Sequence, residues 1–375
     1  MNTKKLGFGL MRLPLYDTAD TTKVDYETFC RMADRYMAAG FNYFDTATPY
    51  HGGGHSETAF RECVAKRFPR ASYTITDKLS FFIVKKKEEL EGFFAEQLKR
   101  CGVDYFDYYL LHAMNKERLI LAEQIDAFDF VVRKKAEGKI RHLGFSFHDT
   151  ADVLEEILTR HPEMEYVQLQ LNYVDWNDPE VQAGKCYQVC EKFEKPVIVM
   201  EPIKGGLLAN VPREAEQLLK EAAPSHSIAS WAIRYAASLK NVVMVLSGMS
   251  EEWQVEDNLS YMQDFQALSE SEKQVIDRVA AVIKSKERIA CTACRYCVDG
   301  CPKKIAIPDY FNLLNKISKF GESQIASARM AYCHQVQNIG NGKASDCIEC
   351  GQCEEHCPQH LPIIRYLQEA AGILE

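Results

Sequence analysis

Residues 44–57 read FDTATPYHGGGHSE. An apolar run, Asn42–Thr46, ends around Asp45, and Tyr50 falls in the loop that follows. Runs of the same kind recur along the chain at Leu6–Met11, Tyr73–Thr76, Tyr105–Leu111, Arg141–Phe145, Val167–Leu171, Pro196–Met200 and Val242–Leu246. Most are continuously apolar rather than alternating, as parallel strands buried on both faces require. Segments of helical periodicity lie between them, among them Tyr26–Ala39, Lys86–Cys101, Ile120–Glu137 and Ile228–Leu239. Gly40, Gly102 and Gly138 stand where such helices stop. Eight strand-then-helix units within about 265 residues predict an α/β fold, a closed (β/α)8 TIM barrel rather than an open sheet.

A barrel gathers the C-terminal ends of its strands at one mouth. Asp45 ends the second strand and Tyr50 follows it. ITDKL (75–79) brings Lys78 to the end of the third, and YYLLHAMN (108–115) brings His112 to the end of the fourth. The set makes chemical sense together. A phenol of pKa near 10 is a poor acid at neutral pH. A neighbouring ammonium favours its phenolate, and a carboxylate behind the lysine holds that ammonium in place. The imidazole then donates a hydrogen bond that orients and polarises a carbonyl oxygen. Singly, each residue has a plain structural reading; the ordered set at three consecutive strand ends is far more specific.

Beyond the barrel come Glu252–Tyr261 and the charged, amphipathic Glu270–Lys286, and from Arg288 onward cysteine dominates. CTACRYCVDGCP (291–302) and CIECGQCEEHCP (347–358) are both C-x-x-C-x-x-C-x-x-x-C-P. Two-residue spacing lets three thiolates wrap one corner of an iron–sulfur cubane, while the fourth cysteine reaches the partner cluster. One [4Fe-4S] cluster is therefore expected on Cys291, Cys294, Cys297 and Cys357, and a second on Cys347, Cys350, Cys353 and Cys301. Zinc ribbons use paired C-x-x-C elements instead. Asp309–Tyr332, between the runs, looks helical. The expected division is barrel 1–265, linker helix 266–286 and a small α-helical ferredoxin-like domain 287–375. The remaining cysteines, Cys30, Cys63, Cys101, Cys186, Cys190 and Cys333, are scattered, and most read as packed core thiols.

The chain has 375 residues, 46% hydrophobic and 26% charged, with a net charge of -8. No basic stripe suggests nucleic acid, and no apolar segment suggests a membrane span. Fourteen cysteines without an export signal point to a reducing, cytoplasmic setting, where clustered thiols mean metal.

The pattern D-T-A-x-x-Y-H-G-G-G-x-S-E, the lysine and histidine after the next two strands, KIRHLGFS (139–146) and SGMSEEWQVEDN (247–258) together resemble the aldo/keto reductase superfamily. With its two cysteine runs the chain is similar to the bacterial and archaeal iron–sulfur subgroup of that superfamily. The resemblance implies a catalytic tetrad of Asp45, Tyr50, Lys78 and His112, with Tyr50 as the general acid. It also implies a nicotinamide cofactor, NADP(H) or NAD(H), across the barrel mouth. Gln168 takes the position that contacts the carboxamide, and Asn172 closes that motif. Ser146 matches the first residue of a Ser-Asn pair whose second is Phe147 here. Met200 replaces the aromatic residue that stacks under the nicotinamide. Gln254 replaces the arginine that clamps the 2′-phosphate, and a neutral amide cannot make that bidentate pair. Ser247 and Asn258 bound the late motif on the same cofactor side.

The function expected is therefore an oxidoreductase acting on a small-molecule carbonyl or alcohol, coupled through the clusters to a redox protein partner. The competing reading is an electron-transfer protein whose barrel only docks, or whose clusters are only structural. Arg12, just after the first strand, is either a ligand for an anionic substrate or one half of a surface or interdomain salt bridge.

Overall fold

The computed structural model describes residues 4–17, 20–179, 181–291, 295–357 and 359–375, so Cys294 lies outside the described residues. Eight strands follow one another around a closed, all-parallel barrel: β1 (Leu6–Gly9), β2 (Tyr43–Asp45), β3 (Thr74–Leu79), β4 (Phe106–Met114), β5 (Ile140–Phe147), β6 (Tyr166–Gln170), β7 (Val197–Met200) and β8 (Val242–Gly248). Closure comes from β8 pairing with β1, Leu6 opposite Val245 and Gly9 opposite Gly248. Each apolar run of the sequence overlaps one of these strands, several of which extend past the run's bounds, β3 to Leu79 and β4 to Met114.

Side chains alternate along a strand. One parity (Tyr43, Leu110, Tyr166, Ile198, Met244 and Leu246, with Tyr108 against them) forms a separate apolar cluster that fills the barrel. The other parity, including Phe44, Ile75, Tyr109, Val167, Val199 and Val245, joins the core beneath the helices. Inside, the Tyr108 ring lies 5.4 Å from Tyr43 and 5.1 Å from Tyr166. Gly144 makes room for this packing: a Cβ there would sit 2.6 Å from the Tyr166 carbonyl oxygen.

Three helices position the site. α1 (Tyr26–Ala38) starts at Asp25, whose carboxylate accepts from the Thr28 amide at 3.0 Å, a side-chain N-cap. α2 (His55–Phe60) runs into a π-turn, Arg61–Ala65. α3 (Leu90–Cys101) ends at left-handed Gly102. The single helix expected over Ile120–Glu137 is two, Lys116–Gln124 and Ala127–Ala136, because Asp126 between them adopts a left-handed conformation. Cys30 on α1 and Cys63 in the π-turn are joined as a disulfide across 4.7 Å between Cα atoms, so these two are not the core thiols expected. Cys101, Cys186 and Cys190 are buried thiols, and Cys333 is exposed.

The chain divides into two compact units: the barrel up to Gly205 with Ala229–Glu270, and Gly206–Ile228 with Ser271–Glu375. In the second, helices Ile307–Phe320, Ile325–His334 and Ile363–Leu374 enclose a core that includes Tyr310, Phe311, Tyr332 and Leu367. Asn315 is buried there. Its Oδ1 accepts from the amides of Arg288 and Ile289 at 3.0 and 2.8 Å, and its Nδ2 donates to the Ile289 carbonyl at 2.7 Å. That side chain fixes the backbone just before the first cysteine run. Among the described residues no helix is long and apolar enough to cross a membrane.

Gly144→Ala drives a methyl into backbone that cannot retreat. The expected cost is about 1–3 kcal/mol, read as a lower denaturant midpoint; an unchanged midpoint would contradict the packing described.

Candidate active site and metal centres

The end of β3 turns Lys78 into the barrel, where it is fully buried. Its ammonium donates to Asp45 Oδ1 at 2.6 Å and to the Thr46 carbonyl at 2.7 Å. Both acceptors lie at the end of β2. Gln168, on β6, donates from Nε2 to the second Asp45 oxygen at 2.9 Å, so both oxygens of the carboxylate are engaged. The Tyr50 ring lies 5.1 Å from the Lys78 nitrogen. The Tyr50 ring also meets the His112 ring edge-on, at 6.2 Å and 86°. The four residues expected at the mouth therefore converge.

Burial sets the protonation states. It lowers the His112 imidazole well below 6.5, and Lys78, His148 and Arg118 add to that shift. Nδ1 of His112 is buried with no hydrogen-bond partner among the described residues. A buried orphan N–H is rarer than a buried lone pair, which assigns the proton of the neutral ring to Nε2. Burial alone would lower Lys78, but Asp45 and Tyr50 outweigh it and raise the ammonium above 10.5. Tyr50 departs from the sequence expectation. Its burial raises the phenol above 10.0, and Lys78 opposes that rise without reversing it. The phenol is held as an acid, not poised as a phenolate.

Behind the mouth lies a polar cluster that sequence reasoning missed. Glu57 and Asp77 are fully buried. Gln97 on α3 bridges them, donating to Asp77 Oδ1 at 3.0 Å and Glu57 Oε1 at 3.3 Å. Thr48 donates to Glu57 at 2.5 Å, and Arg100 reaches it at 3.2 Å. Burial, with the charge of Glu57, raises Asp77 well above 3.8. The only sequence signals were the acidic residues adjoining Ser56 and Lys78. Phe82 was missed too. It is 55% exposed, packs 5.5 Å from His112, and lies under the Arg118 guanidinium at 4.3 Å.

Of the residues assigned to a nicotinamide, Ser146, Gln168, Asn172, Met200 and Ser247 lie at or near strand ends, Gln254 and Asn258 lie on the helix Glu252–Met262, and most are hydrogen-bonded within the protein. Ser146 Oγ accepts from the Ala113 amide at 2.7 Å. Asn172 donates to Asp175 at 2.7 Å and to the Glu201 carbonyl at 3.2 Å. Asn258 donates to Ser247 Oγ at 2.7 Å and accepts from Tyr261. Met200 ends β7 and is half-buried. Gln254 Oε1 accepts from the amides of Ser250 and Glu251 at 2.7 and 3.3 Å, capping its own helix. Buried hydroxyls and amides at the ends of β5, β6 and β8 fit a nicotinamide's polar atoms; the position of Gln254 offers a 2′-phosphate no cation. Arg12 is exposed, and its side chain lies over Gly248 and against Gly205, with no acidic partner among the described residues.

In the second unit, one pocket is lined by Cys291, Cys297 and Cys357, with Ile307, Phe311 and Ile363. Another is lined by Cys301, Cys347, Cys350 and Cys353, with Ile305, Ile364 and Leu367. Each cavity draws thiols from both cysteine runs. Sulfur donors around apolar-lined pockets fit iron–sulfur clusters, which take thiolate ligands.

Comparison with known proteins agrees with this geometry. Residues 5–281 match the aldo/keto reductase family, and residues 290–361 match the 4Fe-4S dicluster domain. The L-galactose dehydrogenase of Arabidopsis thaliana is 27% identical over 264 residues, 65% of this chain and 81% of that protein. Among solved structures, the holo form of aldo-keto reductase AKR11C1 from Bacillus halodurans is 25% identical with a TM-score of 0.59, covering 73% of this chain and 91% of that one. A Klebsiella pneumoniae aldo-keto reductase in complex with NADPH shares the fold at 20% identity and a TM-score of 0.58, over 74% and 90% of the two chains. The chain belongs to the aldo/keto reductase family. It is an oxidoreductase that carries a C-terminal 4Fe-4S dicluster domain.

Two substitutions on adjacent residues separate the charges. Lys78→Met leaves a buried carboxylate without its cation and is expected to cost about 3–5 kcal/mol. Asp77→Asn keeps the side chain's shape and removes a charge that burial already disfavours, and is expected to cost about 1 kcal/mol or less. Urea unfolding of both variants checks the contrast; equal losses would contradict it.

Proposed function

We propose that the protein reduces a small-molecule carbonyl compound, or oxidises the matching alcohol, at Asp45, Tyr50, Lys78 and His112. The observation that carries this reading is the fully buried Lys78 ammonium, held 2.6 Å from Asp45 beside the Tyr50 ring, with a neutral His112 edge-on to that ring. In the reductive direction His112 Nε2–H donates to the carbonyl oxygen and orients it. Tyr50 Oη gives that oxygen its proton. Lys78 stabilises the phenolate left behind, and Asp45 with the Thr46 carbonyl keeps the ammonium aimed. Phe82 offers an exposed aromatic face for an apolar part of the substrate.

Ser146, Gln168, Asn172, Met200, Ser247, Gln254 and Asn258 would hold NADP(H) or NAD(H), and the capping role of Gln254 favours a cofactor without a 2′-phosphate. Cys291, Cys294, Cys297 and Cys357 would hold one [4Fe-4S] cluster; Cys301, Cys347, Cys350 and Cys353 would hold the other. When bound, the nicotinamide supplies hydride and the clusters supply single electrons, exchanged with a redox protein.

The pH dependence follows from the directions of the shifts. The acid form of Tyr50 is present below its raised pKa and lost above it. Neutral His112 is present above its lowered pKa and lost below it. The kcat/KM for carbonyl reduction should therefore hold a plateau wider than the window from about 6.5 to about 10 that ordinary values would set. An acid limb near 6.5, or an alkaline limb below 10, would contradict it. Tyr50→Phe should lower kcat by about 10²–10⁴-fold; full activity in that variant would overturn the proposal. Iron analysis of anaerobically purified protein tests the ligand sets. About eight irons per chain are expected, falling to about four in Cys301→Ala. Full iron in that variant would remove Cys301 from the set.

A further inference from the structure

Tyr50 is followed by four residues in left-handed conformation: His51, Gly52, Gly53 and Gly54, with φ of 55°, 71°, 93° and 97°. Glycine takes that region freely. His51 does not, because a Cβ there crowds the backbone. Something outside the loop must hold it, and its own side chain does so. The imidazole is buried, 8% exposed. Its Nε2 accepts from the Leu13 amide at 3.1 Å, and its Nδ1 lies 2.9 Å from the Thr21 carbonyl. An amide can only donate and a carbonyl only accept. Nε2 is therefore bare and Nδ1 carries the hydrogen, so both ring nitrogens are committed to the segment between β1 and α1.

The two segments are also in tight steric contact. A Cβ on Gly52 would sit 2.7 Å from the Thr22 methyl. On the other side of Tyr50, Thr48 is tied to buried Glu57, and the Tyr50 amide itself donates to the Ala47 carbonyl at 3.0 Å. Tyr50 thus sits between two anchors, one running back to α2 and one running forward, through His51, to the β1–α1 segment.

We infer that His51 is a positioning residue for Tyr50: it clamps the loop after β2 to the backbone of Leu13 and Thr21 and so fixes where the phenol stands relative to Lys78 and His112. The inference rests on the proton-donating role proposed for Tyr50. His51 touches none of the reacting atoms in this account; it acts through the adjacent residue. A small displacement of a reacting group costs catalysis far more than binding, so the effect belongs in kcat.

Steady-state carbonyl reduction by the full, iron-loaded chain tests this, with rates expressed per folded, iron-containing protein. Three variants are compared: His51→Gly, His51→Gln and Tyr50→Phe. His51→Gly relieves the backbone conformation while removing both hydrogen bonds. It is expected to lose about 10- to 100-fold in kcat, with KM within about 3-fold of the parent. His51→Gln restores an acceptor within reach of the Leu13 amide and should recover part of the loss. A His51→Gly enzyme with parental kcat, alongside an inactive Tyr50→Phe, would overturn the positioning role and leave the function standing. An active Tyr50→Phe would overturn the function itself, and this inference with it. A loss in His51→Gly that appears wholly in KM would also contradict it.

Discussion

A lysine with no solvent exposure must be answered by negative charge where it stands, because moving an unpaired ammonium out of water costs several kcal/mol. Here the answer comes from the neighbouring strand. Asp45 and the Thr46 carbonyl, at the end of β2, receive the Lys78 ammonium from the end of β3. The pairing needs the β2–β3 register, with Asp45 opposite Thr76, and it needs β6 to deliver Gln168 to the far carboxylate oxygen. Strands far apart in sequence are thereby committed to one arrangement of the mouth. The same burial holds His112 neutral and Tyr50 protonated, which are the states a carbonyl-reducing site uses.

The cysteine-rich unit uses a different kind of constraint. Its apolar core is small, and each of its two cavities takes thiols from both runs. The runs are therefore interlocked. Metal bound in either pocket on the proposed ligand sets would tie residues near 291–301 to residues near 347–357, a cross-link that a small domain otherwise lacks. Buried Asn315 does the corresponding work on the backbone, holding Arg288 and Ile289 where the first run begins.

Much of this was legible in the sequence, for physical reasons. Parallel strands buried on both faces leave unbroken apolar runs, so all eight strands could be placed. Residues at strand ends in a barrel must share a mouth, so Asp45, Tyr50, Lys78 and His112 could be grouped without a structure. Cysteine spacing alone sorted the thiols that line each cavity, apart from Cys294, which lies outside the described residues. What escaped depended on contacts between distant segments. The Glu57–Gln97–Asp77 cluster joins α2, α3 and β3, and nothing local marks those side chains as partners. The break at Asp126 is a single left-handed residue inside a good helical pattern. Cys30 and Cys63 looked like scattered thiols because only the packing of α1 against the π-turn brings them together. The direction of the Tyr50 shift was misjudged because burial, which a sequence does not show, outweighs the lysine beside it.

The central claim is that Lys78 and Asp45 act as one unit beneath Tyr50. A double-mutant cycle on kcat/KM for carbonyl reduction tests it most directly, with Lys78→Met, Asp45→Asn and the double variant measured under the same conditions. Groups that act as a unit give strongly non-additive losses. The account predicts that the double variant is scarcely worse than the poorer single one; losses that simply multiply would show two independent contributions and contradict it.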